Sequence, residues 1–202
     1  VYKRQTFGLI CCSDYDLRRA EEEFRKAIEL KPSYATAHQW YSLILRAELR
    51  WDEALKEIEK AVELDPLSGI IIQNLGAYYW ARRDWQRAAE KFKKAIELGL
   101  EGAHVGLFGA YGMMKMYDQM DKEAEVCARF FQDIAPRIRT GIDAWKAYFK
   151  GDKETVRRLL PELEAYPKET GASAIDIADL HFFLGDVDEG FEWLERAYSK
   201  KE

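Results

Sequence analysis

Three histidines, three cysteines and 36 carboxylates are the side chains of this 202-residue chain that could hold a metal or move a proton. His38, His104 and His181 stand far apart, without Cys, Asp or Glu at ligand spacing, so they read as partly buried structural residues. Cys11 and Cys12 are adjacent and Cys127 stands alone, a pattern that makes neither a disulfide framework nor a metal set. This usage fits a reducing, cytoplasmic compartment; a periplasmic one stays open if the chain is attached to a membrane-anchored regulator. Acid–base work needs carboxylates tuned in a shared pocket, whereas a run such as Glu21, Glu22 and Glu23 falls on a solvated helix face. No glycine-rich phosphate loop, G-x-S-x-G elbow or H-E-x-x-H occurs. The expectation is a protein that is not an enzyme, with no cofactor and no metal. A hydrolytic or metal-dependent enzyme is the disfavoured alternative.

Binding is the chemistry that remains. Hydrophobic residues make up 48% of the chain and charged residues 33%, as in an ordinary folded protein. The net charge is −5, with both signs interleaved, which argues against a nucleic-acid partner because a phosphate backbone wants a basic stripe. No apolar run approaches the roughly 18 residues that a membrane span needs. Residues 1–12 are set apart as an unassigned leader: Val1-Tyr2-Lys3-Arg4-Gln5 lacks an initiator methionine and is expected to be non-native.

The elements that must position any binding residues repeat at an offset of 34. Ala20, Ala54 and Ala88 match, as do Phe24, Ile58 and Phe92, then Ala27, Ala61 and Ala95, with Pro32 and Pro66 closing two copies. Within each copy the apolar residues fall at helical spacing on two successive segments. A half repeat is expected over residues 13–32, capped by Ser13 or Asp14, then full repeats over 35–66, 69–100 and 103–136. Small residues such as Ser42 and Ala54 let the paired backbones approach closely. The third repeat is expected to gain about two residues in a turn over 117–121, with Ala124, Ala128 and Phe131 resuming the pattern. Degenerate repeats follow over 138–166 and 173–200, with turns at Gly151-Asp152 and Gly185-Asp186. Pro161 is expected to kink or split its helix, and residues 166–172, YPKETGA, read as a linker.

A 34-residue period of helix pairs, with the run A-x3-[FI]-x2-A-x-E-L in three copies, resembles the tetratricopeptide repeat family. The resemblance implies an all-α fold, a right-handed superhelix of helix-turn-helix repeats (an α-solenoid). More narrowly, AHQWYSLIL, ELDPLS and IDIADLHFFLGDVDEGFEWLERAY resemble the tetratricopeptide arms of bacterial signalling proteins, attached to winged-helix regulators, serine/threonine kinases and nucleotide cyclases. That implies a protein- or peptide-binding scaffold acting as the regulatory arm of a larger protein.

If the family's geometry holds, the first helix of each repeat lines a concave groove, with residues at i, i+3, i+7 and i+10. These are Thr36, Gln39, Leu43 and Arg46 in the first repeat and Ile70, Gln73, Ala77 and Trp80 in the second. In the third they are His104, Leu107, Tyr111 and Met114. The family's clamp for a C-terminal carboxylate is not expected, because Gln39, Leu43, Gln73 and Ala77 stand where its cations would be, with Asn74 the one amide nearby. Self-association through the end helices, at Phe191 or Trp193, is the alternative to groove binding, so a homo-oligomer is an open expectation.

Overall fold

A computed structural model describes residues 16–200. Cys11, Cys12, the expected caps Ser13 and Asp14, and the short segment 6–12 lie outside the described residues. Twelve helices and no strand occur among the described residues. They are α1 (Leu17–Leu30), α2 (Ala35–Ala47), α3 (Trp51–Leu64), α4 (Gly69–Ala81), α5 (Trp85–Glu97) and α6 (Ala103–Met113). Then follow α7 (Tyr117–Phe131), α8 (Ile138–Lys150), α9 (Lys153–Ala165), α10 (Pro167–Thr170), α11 (Ala174–Leu184) and α12 (Val187–Lys200). Consecutive helices pair as hairpins, α2 with α3, α4 with α5, α8 with α9 and α11 with α12. The described residues form two compact units, divided between residues 106 and 107.

In the first unit the repeating small residues do what their size demands. Ala54, Ala61, Ala88 and Ala95 are fully buried where two helices cross. A methyl group added at Gly76 would come within 2.8 Å of the Phe92 ring, and one at Gly106 within 2.6 Å of the same ring. Side chains larger than these would overpack both crossings. Asp16 rather than Ser13 or Asp14 caps α1, its carboxylate accepting from the Arg19 N–H at 3.1 Å. Arg50 ties α1 to the next hairpin, donating to Glu21 of α1, to Glu48 and to Glu53, each at 2.8 Å. Burial alone would raise the Glu21 carboxyl, but the hydrogen bonds from Arg50 and Tyr41 hold it below its ordinary value.

The second unit buries Ala144, Val156, Leu160, Leu163, Ile177 and Leu180 as one core. Three expectations change here. Residues 117–121 are helical rather than a turn, so the α7 core residues are Met120, Ala124 and Cys127. They sit three, seven and ten residues after the helix start, as Ala54, Ile58 and Ala61 do in α3. The third first-helix is 11 residues long instead of 13, and the chain is short by two rather than long by two. Pro161 does not split α9, which runs on as one helix; Pro161 and Arg157 are both exposed, so water can take the carbonyl the proline leaves unbonded. Residues 166–172 are no loose linker. They hold α10, which packs on α8 and α9 with Thr170 buried, while the Glu169 carbonyl accepts from the Arg137 N–H at 2.7 Å.

Candidate binding surface

Each hairpin turn places its first helix by the same device. Leu49, Arg83 and Lys115 carry φ near +60°, as Gly151 and Gly185 do at larger positive values. The residue after each donates its N–H back across the turn: Arg50 to Leu45, Asp84 to Tyr79, Met116 to Tyr111, Asp152 to Ala147 and Asp186 to His181, at 2.8–3.0 Å. This common turn fixes a register for every first helix.

In that register Gln39, Leu43 and Arg46 on α2 correspond to Gln73, Ala77 and Trp80 on α4, and the two helices are neighbours in the first unit. Thr36, Leu43 and Arg46 are half-buried; so are Gln73, Ala77 and Trp80, while Ile70 is exposed and Gln39 is only 5% exposed. The opposite sides of these helices bury Tyr41, Ile44 and Leu45 on α2, and Leu75, Tyr78 and Tyr79 on α4. Trp80 is held edge-on against Trp85, with ring centres 4.9 Å apart. Arg46 has its Nε closed off from solvent without a hydrogen-bond partner among the described residues. Burial lowers its pKa, and no carboxylate counters that effect.

The third set of expected residues falls on the wrong side of its helix. Met116 returns to Tyr111 as Asp84 returns to Tyr79, so Tyr111 matches the core residue Tyr79, and Leu107 matches Leu75. Leu107 and Tyr111 are accordingly buried. His104 is half-buried, 3.5 Å from Glu101, and Met114 lies past the helix end in the turn. The expectation failed because it carried an offset of 34 across a repeat two residues shorter. The signal that finds the register is the core spacing Met120, Ala124, Cys127, in which a methionine hides the pattern of small residues.

The remaining chemical candidates are structural. His38 bonds Glu57 at 2.6 Å and the Pro32 carbonyl at 2.9 Å, and His181 bonds Glu164 at 2.8 Å. Cys127 is buried, and burial pushes its thiol up to about 12, which makes it a poor nucleophile at neutral pH. Among the described residues no group of three His, Cys, Asp or Glu could hold a metal ion, and no helix is long and apolar enough to cross a membrane.

No protein-family model and no curated protein matches the sequence. Solved structures do match the fold. PilW, a widely conserved type IV pilus biogenesis factor, aligns over 98% of this chain and 92% of its own, with a TM-score of 0.73 at 14% identity. A tetratricopeptide repeat protein from Parabacteroides merdae aligns over 98% and 78%, with a TM-score of 0.63 at 16% identity. The chain has the tetratricopeptide repeat fold. A further tetratricopeptide protein, YrrB, which has an unusual peptide-binding site, aligns over 92% and 90%, with a TM-score of 0.58 at 20% identity. In this tetratricopeptide solenoid the alanines and the hairpin turns are scaffold, while the exposed-side residues vary from copy to copy, as with Arg46 against Trp80.

Proposed function

We propose that the first unit is a non-enzymatic peptide-binding surface formed by Gln39, Leu43 and Arg46 of α2 with Gln73, Ala77 and Trp80 of α4. The observation that carries this reading is the Arg46 Nε, closed off from water without a hydrogen-bond partner among the described residues, beside the side chains of Gln39 and Gln73 on the same surface. Polar groups withdrawn from water without partners are poorly satisfied in the free protein and gain most from a ligand. Trp80 adds a large, rigid anchor of the type that dominates binding energies. YrrB's peptide-binding site supports the class of ligand. The test is selection from a displayed library of random heptapeptides. Gln73→Ala should cut retention of the selected peptides at least fivefold without moving the melting temperature. Trp80→Ala should also cut retention, and should melt roughly 1–5 °C earlier because its contact with Trp85 is worth about 0.5–1.5 kcal/mol. Unchanged retention in both variants sinks the reading.

The wider role proposed is the regulatory arm of a larger bacterial signalling protein, supported by the resemblance of AHQWYSLIL, ELDPLS and the last helix pair to such arms. An effector domain encoded in frame upstream of Val1 is the expected finding; an in-frame stop directly upstream would remove that role. A second reading, association of two copies through α12, is favoured by the exposed stripe Val187, Phe191 and Tyr198 on that helix. Trp193 is part of the core instead, so it drops out of that surface.

A further inference from the structure

We infer that Arg46 anchors an acidic side chain of the bound peptide, its guanidinium pairing with an aspartate or glutamate carboxylate. This rests on the binding surface proposed above and names its ligand chemistry. Arg50, Arg87, Arg137 and Arg139 each meet a carboxylate within 3.1 Å. Arg46 meets none among the described residues, though its Nε is shut off from water. A partly desolvated cation without a counterion is unfavourable, and a carboxylate delivered by a ligand supplies the missing counter-charge with the geometry guanidinium prefers, although Nε itself stays unbonded. Nε alone is closed off, so the two outer amino groups remain available for a forked pair.

The neighbours extend the site along a peptide. Gln39 lies seven residues before Arg46 on the same face of α2, about 10 Å away along the helix, the reach of about three extended residues. Its carboxamide, like that of Gln73, can both donate to and accept from a peptide bond. Leu43 and Ala77 bring no second cation, so the arrangement suits one internal carboxylate rather than a clustered-cation clamp. The electrostatic setting permits an acidic ligand. Residues 1–106 carry seventeen cationic and seventeen anionic side chains, so the chain's net charge of −5 belongs wholly to residues 107–202.

The experiment uses the whole chain and three immobilised heptapeptide pools, randomised except at the centre. The first has central Asp or Glu and blocked termini, the second central Asn or Gln and blocked termini, and the third central Asn or Gln with a free C-terminal carboxylate. The first pool should retain at least tenfold more protein than the second at low salt. Arg46→Gln should abolish that preference while melting at the same temperature or higher, since it removes an unpaired desolvated charge. Arg46→Lys should keep part of the preference. Equal retention on the first two pools, still lowered by Trp80→Ala, overturns the anchor and leaves the binding surface standing. No retention on any pool overturns the surface as well. A preference confined to the third pool overturns the side-chain assignment, and so does an Arg46→Gln variant that melts several degrees earlier.

Discussion

Both ring nitrogens of His38 face acceptors, the Glu57 carboxylate through Nδ1 and the Pro32 carbonyl through Nε2. Only the doubly protonated ring can donate to both. Burial pulls the pKa of His38 down, but these two bonds outweigh it and leave the pKa above the ordinary value. A pKa raised in the folded state means that the folded protein binds the proton more tightly than the unfolded chain does. The stabilisation is therefore full below about pH 6.5, the ordinary histidine value, and is lost as pH rises through the higher folded value. The melting temperature of the first unit should fall between pH 6 and pH 9, and His38→Gln should flatten that slope. An equal slope in the variant would show that other groups set it. The sequence revealed His38 as a structural histidine but not its partners, because Glu57 comes from another helix 19 residues on. Arg46 was legible as a groove position that breaks the repeat; that it lacks a counterion depends on where every carboxylate around it points, which no spacing rule states.

Helix boundaries were legible wherever chemistry marks them. The Gly151-Asp152 and Gly185-Asp186 turns have glycines at the positive-φ position, φ +76° and +98°. The three equivalent turns use Leu49, Arg83 and Lys115, whose side chains give no such signal. Holding a non-glycine residue there costs about 1–2 kcal/mol, while glycine loosens the unfolded chain by about 0.4–1 kcal/mol. Leu49→Gly and Lys115→Gly, both at exposed positions, should therefore stabilise by roughly 0.5–1 kcal/mol, read as a melting temperature higher by about 1–4 °C. Gly185→Ala should destabilise by about 1–2 kcal/mol, read as a melting temperature lower by about 2–8 °C. A neutral Gly185→Ala would show that the turn tolerates a Cβ and that positive φ is not what limits these hairpins. The same turns explain the misplaced third helix: counted back from Lys115 instead of forward from Trp80, Leu107 and Tyr111 fall on the core side.

At the scale of the whole molecule, the period of 34 specified the solenoid even where the later copies lose their alanines, because the size of residues at crossings is a packing requirement rather than a ligand's. It also tells which helix face each copy offers to the next. Val62 of α3 packs against the cluster of Ile72, Ala95 and Ala103. Four periods on, the matching residue of α12 is Tyr198, 80% exposed, and Phe191, 57% exposed, matches the half-buried Leu55. An apolar stripe of this kind, two turns apart on one face of one helix, favours burial against a second copy. Light scattering should show the average mass rising towards two chains with concentration, and Phe191→Lys should return it to one chain, melting roughly 1–5 °C earlier because it also loses its edge-on contact with Phe182, ring centres 5.3 Å apart. Trp193→Ala should behave differently: Trp193 is 9% exposed within the second unit's core, so its loss should cost about 3–5 kcal/mol of stability without selectively breaking a dimer. A wild-type chain that stays monomeric at high concentration would leave the α12 stripe without a partner and end the association reading.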